Sequence, residues 1–408
     1  MGTGQVPVGN REPAAVAAKA VALILIDIDL LIAILILIPM KILVACDSFK
    51  DSLAALDVCQ AIADGIRQAK PPFDVQLFPL ADGGEGTAEI LTYHAKGQWI
   101  EKEVADPLFR NIKAGYGLSE DGKTAYIDMA QASGLQLLSP AERNPLQTTT
   151  FGTGQLLLDA IQRGVQKIVL GIGGSATNDG GIGMAIALGY TFTDQTGRTL
   201  KGTGGELLRI TKIIPPAINL PTLEVLCDVT NPLYGPQGAA AVYGRQKGAD
   251  EAMLNVLDKG LEHLSQQVIQ ILGIDRAMEP GAGAAGGMGY GGLVFLHGRL
   301  RSGIHAVMQE ARFEEQLSGV DLIITGEGKI DAQTLQGKLI SGICQQAKPH
   351  DIPVIAICGA LLADPKLIRQ IGLKAAFSIQ TQPTTLSEAL PHTAQGLTQL
   401  SFHLAHLL

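Results

Sequence analysis

Three acidic segments set among glycines bring together the residue types that phosphoryl chemistry uses: Asp82-Gly83-Gly84-Glu85-Gly86-Thr87, Asn178-Asp179-Gly180-Gly181 and Gly326-Glu327-Gly328-Lys329-Ile330-Asp331. Glycine lets a chain turn at positive φ and lets a ligand come close to the main chain. Carboxylates held in such turns can take Mg²⁺ or a substrate proton, while free amides cradle phosphate. Asp82 and Glu85 read as metal ligands or a base, and otherwise as turn caps. A further run, Gly171-Ile172-Gly173-Gly174-Ser175-Ala176, matches G-x-G-x-x-G/A, and Asp194 follows 23 residues after Gly171. It reads as a nest for an anion or nucleotide, as a dinucleotide-binding fingerprint, or as a bare turn. The Thr177–Gly181 interruption delays the helix that the dinucleotide reading needs at once. Lys50, in Asp47-Ser48-Phe49-Lys50, suits a phosphate or a carboxylate. Asp228 and Asn231 suit a ligand or an Asx turn before Pro232. Glu327, Asp331 and Lys338 form a last cluster, with helix-cap and salt-bridge chemistry as the alternative.

These residues need a scaffold, and the pattern supplies one. Apolar runs at Lys41–Cys46, Asp74–Leu80, Lys167–Leu170, Tyr190–Thr193, Leu223–Cys227, Asp321–Thr325 and Pro353–Cys358 predict strands, and Trp99–Asp128 reads as strand-rich with two turns. Helices are predicted at Thr87–Tyr93, Leu156–Gln162, Gly183–Leu188, Asp250–Leu272, around Asp364–Ile371 and from Thr385 onward. Pro280–Gly289 is too glycine-rich for a regular helix interior. Strands alternating with helices predict an α/β protein with largely parallel sheets, whose ligands sit beyond the strand C-terminal ends. The expected layout is a discontinuous, doubly wound parallel-sheet domain (40–105 and 293–408) with a second α/β domain (106–292) inserted and the site in the cleft between them.

Composition narrows the function. Of 408 residues 49 are Gly, about 12% against a usual ~7%, with no repeat to suggest a fibrous chain. A net charge of −8 gives no electrostatic support for nucleic-acid binding. The five cysteines, Cys46, Cys59, Cys227, Cys344 and Cys358, lack the paired spacing of a zinc site or disulfide framework and fit a reducing cytoplasm. There is no G-x-x-x-x-G-K-[ST], no H-R-D or D-F-G, and no G-x-S-x-G. Residues 21–39 are strongly apolar, but Asp27 and Asp29 would each cost roughly 2.5–3.5 kcal/mol inside a membrane helix. Residues 1–39 are expected to be an extension ahead of a strand that starts at Met40; a membrane or targeting segment and an added helix are the alternatives.

Several stretches together resemble the type-1 glycerate kinase family: Cys46–Lys50, Ala81–Thr87, Asn144-Pro145-Leu146 with Thr149–Gly154, Gly171–Gly181, Asp228–Leu233, Gln246–Ala249, Gly281–Gly287 and Gly326–Thr334. The resemblance runs from Met40 to the C-terminus. Asp51 and Lys329 depart from it, standing where Gly and Arg are commoner. It implies ATP-dependent phosphorylation of D-glycerate, with 2-phosphoglycerate favoured and 3-phosphorylation or a related hydroxy-acid acceptor as the alternative, with Mg²⁺, by two domains, one flavodoxin-like and one restriction-endonuclease-like. It implies that Lys50 meets the substrate carboxylate or the transferred phosphoryl group, and that Asp82 or Asp179 is the base. Ser48, Glu85, Thr87, Glu327, Asp331 and Lys338 would bind substrate. Gly173, Gly174, Ser175, Thr177, Asn178 and Asn231 would bind nucleotide, and Asp228 and Glu85 the metal. A small-molecule substrate, no membrane, and an open prospect of a homodimer complete the expectation.

Overall fold

The computed structural model describes residues 39–69, 72–335 and 339–408. The expectations for residues 1–38 and for Lys338 lie outside them. The chain opens with strands β1 (Met40–Cys46) and β2 (Phe73–Leu77). Its middle supplies β3 (Gln98–Ala105), β4 (Asn111–Leu118), β5 (Thr124–Asp128), β6 (Lys167–Gly171), β7 (Thr191–Thr193), β8 (Lys212–Ile214), β9 (Thr222–Leu226) and β10 (Arg299–Arg301). It closes with β11 (Leu322–Ile330), β12 (Val354–Leu361) and β13 (Ala375–Ser378).

Strands from both ends of the chain form one five-stranded sheet, ordered β13-β12-β11-β1-β2 and parallel throughout. The β1 run Ile42-Leu43-Val44-Ala45-Cys46 is apolar at every position because both faces are covered. Ile42, Val44 and Cys46 pack toward helices Ala55–Gln68 and Thr393–Ala405, while Leu43 and Ala45 pack toward helices Gly303–Glu310 and Leu339–Ala347. This is the doubly wound, parallel arrangement expected from the alternating pattern. The middle of the chain forms a six-stranded sheet, ordered β10-β9-β6-β5-β4-β3, parallel from β10 to β5 and antiparallel at β4 and β3. Tyr126, Val169 and Leu226 of this second sheet join an apolar cluster of the first unit, so the two units share buried surface.

Three expectations are modified. Sheet membership does not follow the expected divisions at 105/106 and 292/293: β3 and β10 pair into the six-stranded sheet, β3 through a hairpin with β4. The third acidic segment is not a loop, since β11 continues to Ile330 and Lys329 and Ile330 still pair with Ala360 and Leu361. The helix expected at Leu156 starts at Phe151, its opening turn disguised by Gly152 and Gly154. The Pro280–Gly289 region is irregular as expected, with Ala285, Gly286 and Gly287 at positive φ, but a helix follows it to Phe295.

Candidate active site

Both sheets direct their strand C-termini at one place. β1 ends at Asp47, β5 at Asp128, β6 at the Gly171–Ser175 run, and β9 at Asp228. After β2 the chain stays extended, Phe78 and Leu80 donating to the carbonyls of Val44 (2.8 Å) and Cys46 (2.9 Å). That path delivers Asp82 to the sheet edge. Its Oδ1 accepts the Gly84 amide at 2.9 Å, closing an Asx turn. The loop touches both neighbours through backbone. A Cβ on Gly83 (φ 95°) would stand 2.5 Å from Gly303 Cα, and one on Gly173 would stand 2.9 Å from Gly84 Cα. Only glycine permits these approaches.

The second sheet holds the loop from its other end. Buried Asp128 accepts the amides of Gly86 (3.0 Å) and Ala88 (3.1 Å) on Oδ2, capping the helix Thr87–His94 from a different sheet. Burial pushes its carboxyl up to about 7, against those two amides, with Glu89 and Glu85 adding to the rise. The folded protein therefore holds a proton that an unfolded carboxyl, near 3.8, releases. Its contribution to stability falls as pH rises between about 4 and 7. Asp128→Asn does not titrate and keeps an acceptor, so its melting temperature relative to the parent is expected to improve from about pH 5 to pH 8. Thermal melts at the two pH values check this; a constant gap would reject it.

Two cavities flank the acidic loop. One, about 460 Å³, is lined by Asp47, Ser48, Lys50, Glu85, Glu89 and Gln131 among others. The other, about 400 Å³, is lined by Asp82, Gly173, Ser175, Asp228, Tyr243 and Lys247 among others. Negative charge gathers between them. Burial, then the charge of Asp82, then that of Glu327 lift the Asp47 carboxyl to about 7, with the Ser48 amide and hydroxyl opposing. Partial burial raises Asp228 as well; the Gly303 amide (2.8 Å) and Ser302 hydroxyl (3.0 Å) oppose the rise, and the charge of Asp82 adds to it. Among the described residues no ion pair answers Asp47, Asp82 or Asp228.

The structure thus brings Ser48, Lys50, Asp82, Glu85, Gly173, Gly174, Ser175 and Asp228 to the cleft. It sets others apart. Asp179 is wholly buried, its oxygens taken by the Thr150 amide and hydroxyl (2.8 Å each) and the amides of Gly181 and Gly183, so it ties a turn together and lines neither of these two cavities. Thr87, Thr177 and Asn178 are also sealed in the interior. Asn231 spends its side chain on the Gln237 carbonyl (2.8 Å) and the Tyr243 hydroxyl (2.7 Å), steadying a cavity wall. Glu327, whose charge reaches Asp47, accepts from Thr334 at 2.7 Å and Asp331 pairs with Lys329 at 2.7 Å; they stand beside the cleft and line neither of the two cavities. Glu85 lies on the larger cavity, so the acid sensed by Asp228 is Asp82. Asp51, the departure from Gly, has φ 62°, a conformation glycine adopts without strain.

Two residues escaped the sequence reading. Asp128 ends a strand, where the topology rule points, but no glycine marks it. Lys247 sits inside the Gln246–Ala249 stretch, where nothing announces that its amine is buried.

The dinucleotide reading does not fit this geometry. The helix after the glycine run begins only at Ile182, and Asp194 is paired with Arg209 at 2.7 Å. A family model described as the glycerate kinase family matches residues 42–408. The chain belongs to the glycerate kinase family. It is accordingly an enzyme, a kinase. Within the family it is 46% identical to the glycerate kinase of Bacillus cereus over 354 residues, 86% of this chain and 93% of that one. It is 43% identical to the glycerate 2-kinase of Escherichia coli, covering 90% and 98%. A solved structure of glycerate kinase 2 from Salmonella typhimurium LT2 aligns at TM-score 0.81 and 42% identity, over 91% of this chain and 98% of that one. Among the described residues no helix of this family member is long and apolar enough to cross a membrane.

Proposed function

We propose that this enzyme transfers the γ-phosphoryl group of ATP to the 2-hydroxyl of D-glycerate, releasing 2-phosphoglycerate and ADP. The observation that carries the reading is the Asp82–Gly86 loop, which stands between a cavity walled by Gly173–Ser175 and one walled by Asp47, Ser48 and Lys50. Phosphoryl transfer asks for positioning and charge neutralisation more than covalent help. The Gly173–Ser175 run serves the nucleotide phosphates, and Lys50 with Ser48 serves the glycerate carboxylate. Asp82 takes the hydroxyl proton as that oxygen bonds to phosphorus; the bond to ADP breaks and its electron pair leaves with the ADP oxygen. Asp179 has no part in this, because its carboxylate is committed to Thr150 and the 181–183 amides.

The residues present fit Mg²⁺. Among the described residues no cluster of three ligating side chains exists, but Mg²⁺ commonly takes one or two carboxylates with phosphate oxygens and water. Asp228, raised in part by the charge of Asp82, is an oxygen donor in need of a counter-charge. Bound there, Mg²⁺ would neutralise charge on the phosphates. The 2-hydroxyl assignment is supported by the relative named glycerate 2-kinase. A cytoplasmic location belongs to the same reading and is supported by five unpaired cysteines.

Phosphorus-31 NMR of the protein with MgATP and D-glycerate tests the proposal. The expected result is a phosphomonoester signal that coincides with 2-phosphoglycerate. A signal that coincides with 3-phosphoglycerate overturns the regiochemistry alone, and no turnover by a folded protein overturns the kinase reading.

A further inference from the structure

Lys247 is a buried lysine that touches no carboxylate among the described residues. It is 1% exposed, and among the described residues it forms no ion pair. Its Nζ donates to the Ser175 hydroxyl at 2.7 Å and to the Thr177 carbonyl at 2.6 Å. An ammonium group carries three donors, so one remains. The residue lines the 400 Å³ cavity together with Gly173, Gly174 and Ser175. Burying an unpaired cation is costly, so such an amine either gives up its proton or waits for an anion to pair with. The short helix Ala239–Tyr243 and the turn Arg245–Lys247 that follows hold it in place, with Gly248 (φ 93°) closing the turn against the Arg143 backbone.

We propose that Lys247 is the cation that meets a phosphate group of the nucleotide in this cavity, and that through Ser175 it also fixes the glycine run for the same ligand. The inference rests on the kinase reading above and names a contact within it. The hydroxyl of Ser175, while it accepts from the amine, can turn its own proton toward the same phosphate. Lys247 and Ser175 then act as one donor pair on the nucleotide side of the acidic loop, opposite Lys50 on the acceptor side.

The charges around the amine support a proton-linked site. Asp179 acts on the amine from the 178–181 turn; Asp82, Asp228, Cys227 and Tyr243 line the same cavity, and Arg245 begins the turn that ends at Lys247. Burial lowers the amine to about 7, and Asp179 only partly opposes it. At pH 8 the empty site therefore holds mostly neutral amine, and an arriving polyanion draws a proton onto it. At pH 6 the proton is already there.

Calorimetric titration of the full chain with ADP, in two buffers of different ionisation heat, tests this. Wild type is expected to take up close to one proton per ADP at pH 8 and much less at pH 6. Lys247→Met is expected to bind ADP about tenfold to a hundredfold more weakly, with the uptake abolished. Lys247→Arg is expected to recover part of the affinity without the uptake, since guanidinium stays charged. Absence of proton uptake by wild type overturns the proton linkage, and Lys247→Gln, which keeps a donor without the charge, carries the affinity test should the Met variant fail to fold. Equal ADP affinity in wild type and the neutral variant overturns the inference, while leaving the kinase reading intact. A wild type that neither binds ADP nor forms phosphoglycerate overturns both.

Discussion

Replacing Asp82 by Asn is expected to lower kcat by about a hundredfold to ten-thousandfold and to leave the protein folded. The amide oxygen of Asn can still accept from Gly84, so the Asx turn survives; Asp82 is only half-buried, and isosteric changes at such sites usually stay within about 0.5 kcal/mol. What disappears is a negative charge and a proton acceptor between the two cavities. That charge acts on its neighbours too. Asp47, lifted to about 7 chiefly by burial and next by Asp82, is expected to titrate lower in the variant, and Asp228 is expected to shift the same way. Steady-state kinetics and NMR titration of carboxyl carbons measure the two effects separately. Near-normal kcat would remove Asp82 as base. A collapse of kcat with no change at Asp47 would mean that the two carboxylates are not electrostatic neighbours.

Gly303→Ala is the second large effect, and here two forces oppose each other. Gly303 is the first residue of helix Gly303–Glu310, where Ala in place of Gly would gain about 0.5–1 kcal/mol on propensity alone. The added Cβ, however, would stand 2.4 Å from the Asp82 carbonyl oxygen, 2.7 Å from Asp228 Oδ2 and 2.8 Å from Gly83 Cα. Two of these are backbone atoms, so no flexible side chain can swing away. Overpacking of this kind costs about 1–3 kcal/mol or more, which outweighs the propensity gain. The expected net result is destabilisation. A displacement of about 1 Å in catalytic groups can cost about a hundredfold, so activity should fall further than stability suggests. Urea unfolding and kcat on one preparation decide it; a stabilised, fully active variant would show that the acidic loop yields freely.

Most strands were legible in the sequence because buried parallel strands leave continuous apolar runs. The run at Lys167–Leu170 and the one at Leu223–Cys227 each match a strand to within a residue. Pairing was less legible. The Trp99–Ala105 pattern reads as strand in either unit, and only its hydrogen bonds to β4 place it in the six-stranded sheet. The third acidic segment looked like a loop because Gly326 and Gly328 suggest turns, yet β12 alongside keeps it extended. At the site, glycines advertised the close approaches of Gly83 and Gly173, and with them Asp82 and Ser175. They also advertised Asp179, whose oxygens accept from Thr150 and from the amides of its own turn. Sequence spacing cannot distinguish a carboxylate that faces a cavity from one that faces backbone amides. Lys247 was missed for the converse reason: lysine is ordinarily a surface residue, and its burial arises only when distant segments assemble around it.

The order in which the polypeptide is made bears on the five-stranded sheet. β1 pairs with β2 about thirty residues later, but its other neighbour is β11, and Lys41 contacts Asp321 across a separation of 280 residues. Until that strand is synthesised, β1 has one unpaired apolar edge. The six-stranded sheet is continuous in sequence from β3 to β10 and can assemble first. A ribosome-bound chain ending before β11 would therefore carry a folded middle beside an incomplete edge strand. Such an edge invites intermolecular pairing, and its exposure lasts as long as translation of the intervening segment.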